Sequence, residues 1–88
     1  MTTTTDTTYN GYKNYQTWNI SLWIQNDESM YRTAVDWVEH QREWDELPEY
    51  DTFRHTLTEL FGESTPDGVD WNDTNIDTGE LTEMLMDL

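Results

Sequence analysis

Oxygen-bearing side chains are concentrated near the C-terminal end of the chain, between residues 67 and 80. The set consists of Asp67, Asp70, Asn72, Asp73, Asn75, Asp77 and Glu80. Oxygen ligands spaced two residues apart on a loop are an arrangement that binds calcium. Counted from Asp73, however, Gly79 falls at the seventh position instead of the sixth, and Met84 stands where a bidentate glutamate is required. We therefore interpret the segment as a solvated acidic loop in which Asp77 caps a helix, with a calcium site as the alternative.

Other combinations of reactive side chains are sparse. His40 and Glu43 are one helical turn apart, but the second histidine, His55, has no such partner, so we expect surface histidines. The chain has no cysteine and a single lysine, Lys13, and it lacks the glycine patterns of a nucleophile elbow or a phosphate loop. We predict no catalytic residue, no metal ligand and no cofactor, and hence a protein that is not an enzyme.

The five tryptophans are the other residues with a possible function, because tryptophan is enriched at binding hot spots. We expect most of them to form the core, since a buried tryptophan removes roughly 150–250 Å² from water and aliphatic residues are scarce. Trp23 and Trp44 are the candidates for partial exposure. Trp23 interrupts an alternation of apolar and polar residues, and Trp44 stands at the end of a predicted helix. If the two lie on one face, they mark a protein-binding or self-association patch.

The first element that positions these side chains is ambiguous between a helix and a strand. Asn14 is a suitable cap for a helix beginning at Tyr15. The predicted stripe of that helix consists of Tyr15, Trp18, Leu22 and Gln25 on one face, extended by Ile20, Trp23 and Ile24. The same segment also alternates apolar and polar residues, as a strand does. We favour the helix because of the cap.

Three further helices are predicted. Asn26 or Asp27 begins the second, whose apolar stripe extends to about residue 45, before Leu47-Pro48. Asp51 is the predicted cap of the third, and Gly62 its end. The apolar face of this third helix consists of Phe53, Leu57, Leu60 and Phe61.

Thr65-Pro66-Asp67-Gly68 reads as a turn, since proline presets φ and glycine accepts a positive φ. We expect Val69 and Trp71 to attach this connection to the core. Asp77 with Glu80 resembles a capping box that opens the last helix. The apolar side of that helix consists of Leu81, Met84, Leu85 and Leu88.

The expected fold is thus all-α, a single small domain of about four short helices at residues 9–88, preceded by a disordered threonine-rich tail at residues 1–8. No basic, apolar leader opens the chain and no segment approaches the ~18 apolar residues of a membrane span, so we expect a protein of the cytoplasm or of a virus particle with no membrane contact.

Nineteen acidic residues against four basic ones give a net charge of −15. Such a chain repels phosphates, so direct nucleic-acid binding is not expected. Three explanations of the acidity remain open: adaptation to molar salt, where the Debye length shrinks to about 3 Å; mimicry of nucleic acid by ordered carboxylates; and simple solubility.

The segment Asn14-Tyr15-Gln16-Thr17-Trp18-Asn19-Ile20-Ser21-Leu22-Trp23, followed by Asn26-Asp27-Glu28, resembles the opening of a family of small uncharacterised proteins from tailed viruses and mobile elements of bacteria and archaea, with an Asn-Tyr-x-Thr-Trp-Asn-x-x-Leu-Trp motif. The later Thr65-Pro66-Asp67-Gly68-Val69 is also similar, and the resemblance covers about residues 11–88. It implies a helical fold and a viral or mobile-element setting, and it assigns no functional residue.

The sequence therefore predicts a protein–protein interaction protein, adapted to a halophilic host, that binds a host factor, associates with itself or forms a minor component of a virus particle. The alternative is a nucleic-acid mimic that inhibits a DNA-binding or RNA-binding host protein.

Overall fold

Four helices make up the fold, and the computed structural model describes residues 11–88. They are α1 (Tyr15–Asn26), α2 (Glu28–Glu43), α3 (Tyr50–Phe61) and α4 (Thr78–Met86). The predicted all-α fold is confirmed, and the strand interpretation of the first segment is wrong. The predicted disordered tail at residues 1–8 lies outside the described residues. None of the four helices is long and apolar enough to cross a bilayer.

Short polar side chains begin three of the helices. Asn14 Oδ1 accepts the Thr17 N–H at 2.9 Å, and Asp27 Oδ1 accepts the Met30 N–H at 3.1 Å. These bonds satisfy N–H groups that have no partner inside the helix. The predicted caps of α1 and α2 are therefore confirmed.

The predicted cap of α3 is wrong. The cap position belongs to Glu49, whose side chain makes no capping hydrogen bond. Asp51 lies in the first turn, where its carboxylate is 2.8 Å from the Arg54 guanidinium and complements the positive end of the helix dipole. Gly62 ends α3 with a φ of 88°, as predicted.

The capping box of α4 is only half formed. Asp77 Oδ1 accepts the Glu80 N–H at 3.0 Å. Glu80 does not reach back to Asp77, because its Oε1 accepts the backbone N–H of Lys13 at 2.6 Å instead. The Asp77 N–H donates to Thr17 Oγ1 at 3.0 Å, so α1 supplies the partner that the box would have supplied.

The core lies where all four helices meet. Its buried apolar residues are Ile20, Ile24, Met30, Ala34, Val38, Tyr50, Phe53, Leu57, Val69, Trp71, Leu81, Met84 and Leu85. Spacings of three and four residues within α2 and α4 place these side chains on one face of each helix. Val69 and Trp71 attach the α3–α4 connection to this core, as predicted. Leu60 is 61% exposed, contrary to the prediction.

The buried face of α1 agrees with part of the predicted stripe. Ile20 and Ile24 are buried as predicted, whereas Tyr15 is exposed and Trp18 and Leu22 are only half-buried. The other buried residues of this helix are Thr17, Asn19 and Ser21. These three are polar, so a hydrophobic pattern does not identify them as buried.

Candidate functional site

The end of α2 fixes the backbone around Trp44. The Glu46 N–H donates to the Gln41 carbonyl at 2.8 Å, and the Asp45 N–H donates to the Arg42 carbonyl at 3.1 Å. This pair of bonds is a Schellman motif, which requires a left-handed residue immediately after the cap. Asp45 takes that position with a φ of 57°. Trp44 is therefore the last residue of a closed helix end, and the chain turns away immediately after it.

Three large apolar side chains are exposed close to this helix end. Trp44 is 74% exposed, Leu47 59% and Met86 45%. Leu47 and Met86 line a depression of about 290 Å³, together with Arg42, Asp45, Glu46 and Pro48. Trp44 does not line the depression but lies between Arg42 and Asp45 in the chain, which do; we call the three exposed side chains and this depression the Trp44 patch. Within residues 11–88, the Trp44 indole N–H has no hydrogen-bond partner, so it is available to a ligand.

Arg42 connects the α2 side of the patch, which carries Trp44, to the α4 side, which carries Met86. Its Nη2 donates to the Met86 carbonyl at 2.8 Å, across 44 positions of sequence. This bond satisfies a carbonyl at the C-terminal end of α4, where helix carbonyls lack internal partners and a cation is favoured. The bond holds the end of α2 beside the end of α4.

Exposed carboxylates adjoin the residues of the Trp44 patch along the chain. The exposed acids next to its apolar residues in the chain are Glu43, Asp45, Glu46, Glu49 and Asp87. Against these five carboxylates stands the guanidinium of Arg42, which gives the patch a local charge of about −4 (five negative charges and one positive).

Trp23 occupies a different environment. It is half-buried against the core, and its Nε1 donates to Asp67 Oδ2 at 2.9 Å. The same carboxylate oxygen accepts a bond from Asn19 Nδ2 at 2.9 Å. Hydrogen bonds from Asn19 and Trp23 lower the pKa of the Asp67 carboxyl below its ordinary value.

Asn19 extends this cluster into the interior. Its Oδ1 accepts the Thr65 hydroxyl at 2.8 Å, and Thr65 Oγ1 accepts the Val69 N–H at 3.1 Å. Together, Asn19, Trp23, Thr65 and Asp67 form what we call the Asn19 network. It joins the two segments of sequence that carry the family resemblance, the start of α1 and the Thr65–Gly68 turn. The network uses the polar atoms of Asn19 and the indole N–H of Trp23 for internal contacts.

Trp23 and Trp44 do not share one patch. Trp44 follows Asp27 by 17 residues of helix, which is roughly 25 Å at about 1.5 Å per residue, whereas Trp23 precedes Asp27 by only four residues, or about 6 Å. Their Cα atoms are therefore roughly 19 Å or more apart, whatever the angle between α1 and α2. Trp23 borders its own depression of about 280 Å³, lined by Leu22, Asn26 and Asp27 as well. A binding role for either tryptophan stays a prediction, and the two are separate candidates.

The acidic loop at residues 67–80 uses its carboxylates for turns. Asp70 Oδ1 accepts the Asn72 N–H and Asp73 Oδ1 accepts the Asn75 N–H, both at 2.7 Å. Such bonds from an Asp side chain to the backbone two residues on shape the loop locally. Within the described part of the chain, no three His, Asp or Glu side chains converge in a way that could hold a metal ion.

Sequence reasoning predicted the exposure of Trp44 but did not predict that of Leu47 and Met86 or the depression between them. The Leu47-Pro48 pair, an apolar residue in a short acidic connection, was the available signal. Nothing in the sequence places Met86 beside it, because the two are 39 positions apart and meet only through the packing of the helices.

The fold and the patch define a small acidic all-α protein that exposes an aromatic residue at a helix end. The chain belongs to a family of unknown function (DUF7249), whose model matches residues 5–88. The sequence resemblance was also to a family of uncharacterised proteins, and this part of it agrees with the match. The match begins at residue 5, whereas the resemblance was expected to begin at about residue 11. No curated protein and no solved structure matches the chain significantly.

Proposed function

We propose that the protein acts by binding another protein, without catalysis, and that Trp44 is its main contact residue. The single observation that carries this proposal is the 74% exposure of Trp44 on a backbone that a Schellman motif holds in place. An exposed indole costs free energy in water and brings a large apolar area to a contact at little loss of side-chain entropy. Leu47 and Met86 add two exposed apolar side chains at the depression that Arg42 and Asp45, the neighbours of Trp44 in the chain, also line.

The proposed setting is a virus or mobile element of a halophilic host, with either a host factor or another component of the virus particle as the partner. The resemblance of residues 14–28 and 65–69 to proteins of tailed viruses supports the setting. The partner is then met in the host cytoplasm or in the particle.

Capture experiments test the interaction. Immobilised wild-type protein, Trp44→Ala and Leu60→Ala are incubated with host lysate at the ionic strength of the host. Leu60 is the matched control, since it is 61% exposed but lies on α3 away from the patch. We expect a partner that wild type and Leu60→Ala retain and that Trp44→Ala loses. If Trp44→Ala retains every partner of the wild type, the proposal is wrong.

The same experiment addresses nucleic-acid mimicry. A mimic binds through its carboxylates, so its complex survives the loss of Trp44 and dissociates as salt is added. A Trp44-dependent complex therefore favours the proposal over the mimic.

Adaptation to salt has its own measurement. We expect the thermal unfolding midpoint to rise steadily from low salt through molar potassium chloride, because screening reduces repulsion among the carboxylates. Circular dichroism at the helical band follows the transition. A midpoint that is equal at low and molar salt would contradict a halophilic origin and leave the role of Trp44 untouched.

A further inference from the structure

We propose that the partner of the Trp44 patch is a protein surface with an apolar pocket rimmed by lysine or arginine side chains. This inference rests on the proposed function and adds the chemistry of the partner. It follows from the composition of the patch, in which exposed apolar side chains and exposed acids occupy the same short segments of chain.

The apolar centre and the acids come from the same short segments. Between Glu43 and Glu49, four of the seven residues are acidic, and the others are Trp44, Leu47 and Pro48. Asp45 and Glu46 line the depression together with Leu47. A partner that covers Trp44 and Leu47 therefore brings its own atoms close to these carboxylates.

A neutral apolar partner fits this patch poorly. Covering the centre removes water from the neighbouring carboxylates, and a carboxylate that loses water without gaining a partner destabilises the complex. Cationic groups at the rim of the partner offset that loss. They also attract the patch over distances of about the Debye length, which is about 3 Å in the molar salt of the proposed host and roughly 8 Å at about 0.15 M salt.

A second copy of the chain fits the patch no better. In a two-fold symmetric contact the same surface faces itself, so the interface would contain ten carboxylates and only two guanidinium groups. These carboxylates would repel one another. The net charge of each chain is −15, which adds long-range repulsion.

The surface around Trp23 lacks this combination. Its depression is lined by one acid, Asp27, besides Leu22 and Asn26, and the nearby Asp67 carboxylate already accepts hydrogen bonds from Trp23 and Asn19. A basic rim therefore complements the Trp44 patch better than the surface around Trp23.

Three amphipathic helical peptides of about 18 residues serve as probes, each with leucine on one face and lysine, glutamine or glutamate on the other. Binding to the full chain is measured by fluorescence anisotropy of the labelled peptide at about 0.15 M salt. We expect the leucine–lysine peptide to bind most tightly. Trp44→Ala should weaken it by about 30-fold or more, the loss typical of a hot-spot residue. Leu60→Ala should change the affinity by less than about twofold.

Two triple variants with the same change in net charge separate the rim from the charge of the whole chain. The rim variant is Glu43→Gln, Glu46→Gln, Glu49→Gln. The control is Asp36→Asn, Glu59→Gln, Glu63→Gln, whose three acids are exposed elsewhere. We expect the rim variant to weaken binding of the leucine–lysine peptide by about tenfold and the control by about twofold or less. Circular dichroism checks that every variant is folded.

The outcomes distinguish this inference from the proposed function. If the glutamine or glutamate peptide binds as tightly as the lysine peptide in a Trp44-dependent way, only the basic rim is wrong. The proposal of a basic rim is also wrong if the two triple variants lose equal affinity for the leucine–lysine peptide, or if the wild type binds no peptide. In those cases the lysate capture still decides the role of Trp44. If Trp44→Ala binds the lysine peptide as the wild type does and also keeps every lysate partner, both proposals are wrong.

Discussion

The two connections that flank α3 each contain a tryptophan, and the two indoles have opposite environments. In the α3–α4 connection, Trp71 is completely buried, and its Nε1 donates to the Gly62 carbonyl at 3.0 Å. In the α2–α3 connection, Trp44 is 74% exposed. The α3–α4 connection is also tied to α1 through the Asn19 network, whereas the hydrogen bonds that shape residues 44–46 run to the preceding turn of α2.

The difference teaches that the buried indole belongs to the connection that distant partners anchor, and the exposed indole to a backbone that is bonded locally. The Schellman motif satisfies the backbone around Trp44 locally, so no contact with the rest of the molecule is required to hold it. The indole at residue 44 is thereby left for external contacts, while the indole at residue 71 stabilises the fold.

The largest expected effect tests this contrast directly. Trp71→Ala should lower the free energy of unfolding by about 3–5 kcal/mol, as removal of a fully buried tryptophan does. Trp44→Ala should change it by no more than about 0.5 kcal/mol, because its side chain is mostly in water. Urea denaturation followed by circular dichroism measures both values. Similar losses in the two variants would remove the basis of the comparison.

The next effect concerns the anchor of the buried connection. Asn19→Ala should lower the free energy of unfolding by about 2–3 kcal/mol. The substitution leaves the buried Thr65 hydroxyl without its acceptor and removes one hydrogen-bond donor to Asp67. Gln16→Ala in the same helix is the control and should cost less than about 0.5 kcal/mol. If both variants unfold at the same urea concentration, the Asn19 network does not stabilise the fold.

The third prediction concerns the stability of the fold at alkaline pH, which depends on the buried Tyr50 phenol of α3. The Tyr50 hydroxyl donates to the Trp71 carbonyl at 2.7 Å, and burial raises the pKa of the Tyr50 phenol above its ordinary value. The unfolded chain then releases this proton at lower pH than the folded one. Stability should fall as pH rises through about 10, the ordinary pKa of a tyrosine.

Tyr50→Phe should lose less stability than the wild type as pH rises, because it has no phenol to ionise. Near neutral pH its free energy of unfolding should be about 1–2 kcal/mol lower, because the Trp71 carbonyl loses its donor. The exposed Tyr31→Phe is the matched control and should keep the alkaline loss of the wild type. Urea midpoints at several pH values between neutral and alkaline conditions compare the three proteins. An unchanged alkaline slope in Tyr50→Phe would show that another group causes it.

The smallest effect lies at acid pH. Since the pKa of the Asp67 carboxyl is lowered in the folded protein, its charged form adds stability above about pH 4, and this is lost as pH falls through the folded pKa. Asp67→Asn should therefore lose less stability on acidification than the wild type. The exposed Asp36→Asn, matched in chemistry, should retain the acid response of the wild type. Equal acid slopes for all three proteins would contradict a role for Asp67.

Local signals in the sequence predicted the parts of the fold that local chemistry decides. Asn14, Asp27 and Asp77 each accept a bond from an N–H three residues ahead, and such caps are visible in sequence. The exposure of Trp44 was also predictable, because it follows from its position at a helix end.

The burial of Thr17 and Asn19 in α1 was not predictable, because their hydrogen-bond partners are distant in the sequence. Thr65 meets Asn19 across 46 positions, and Asp77 meets Thr17 across 60. A hydrophobic pattern counts such residues as surface, whereas satisfied hydrogen bonds make their burial acceptable. Met86 was missed for the related reason that only the packing of α2 against α4 brings it to the Trp44 patch.

The contacts at the start of α1 have a consequence for biosynthesis. Lys13, Asn14 and Thr17 bond to Glu80, Asn75 and Asp77, respectively, across 60 or more residues. The chain leaves the ribosome with its N-terminus first, so α1 waits for about 60 further residues before these contacts form. Closing so long a loop is slow. A nascent chain stalled before residue 75 should therefore expose α1 to proteases that the finished molecule resists.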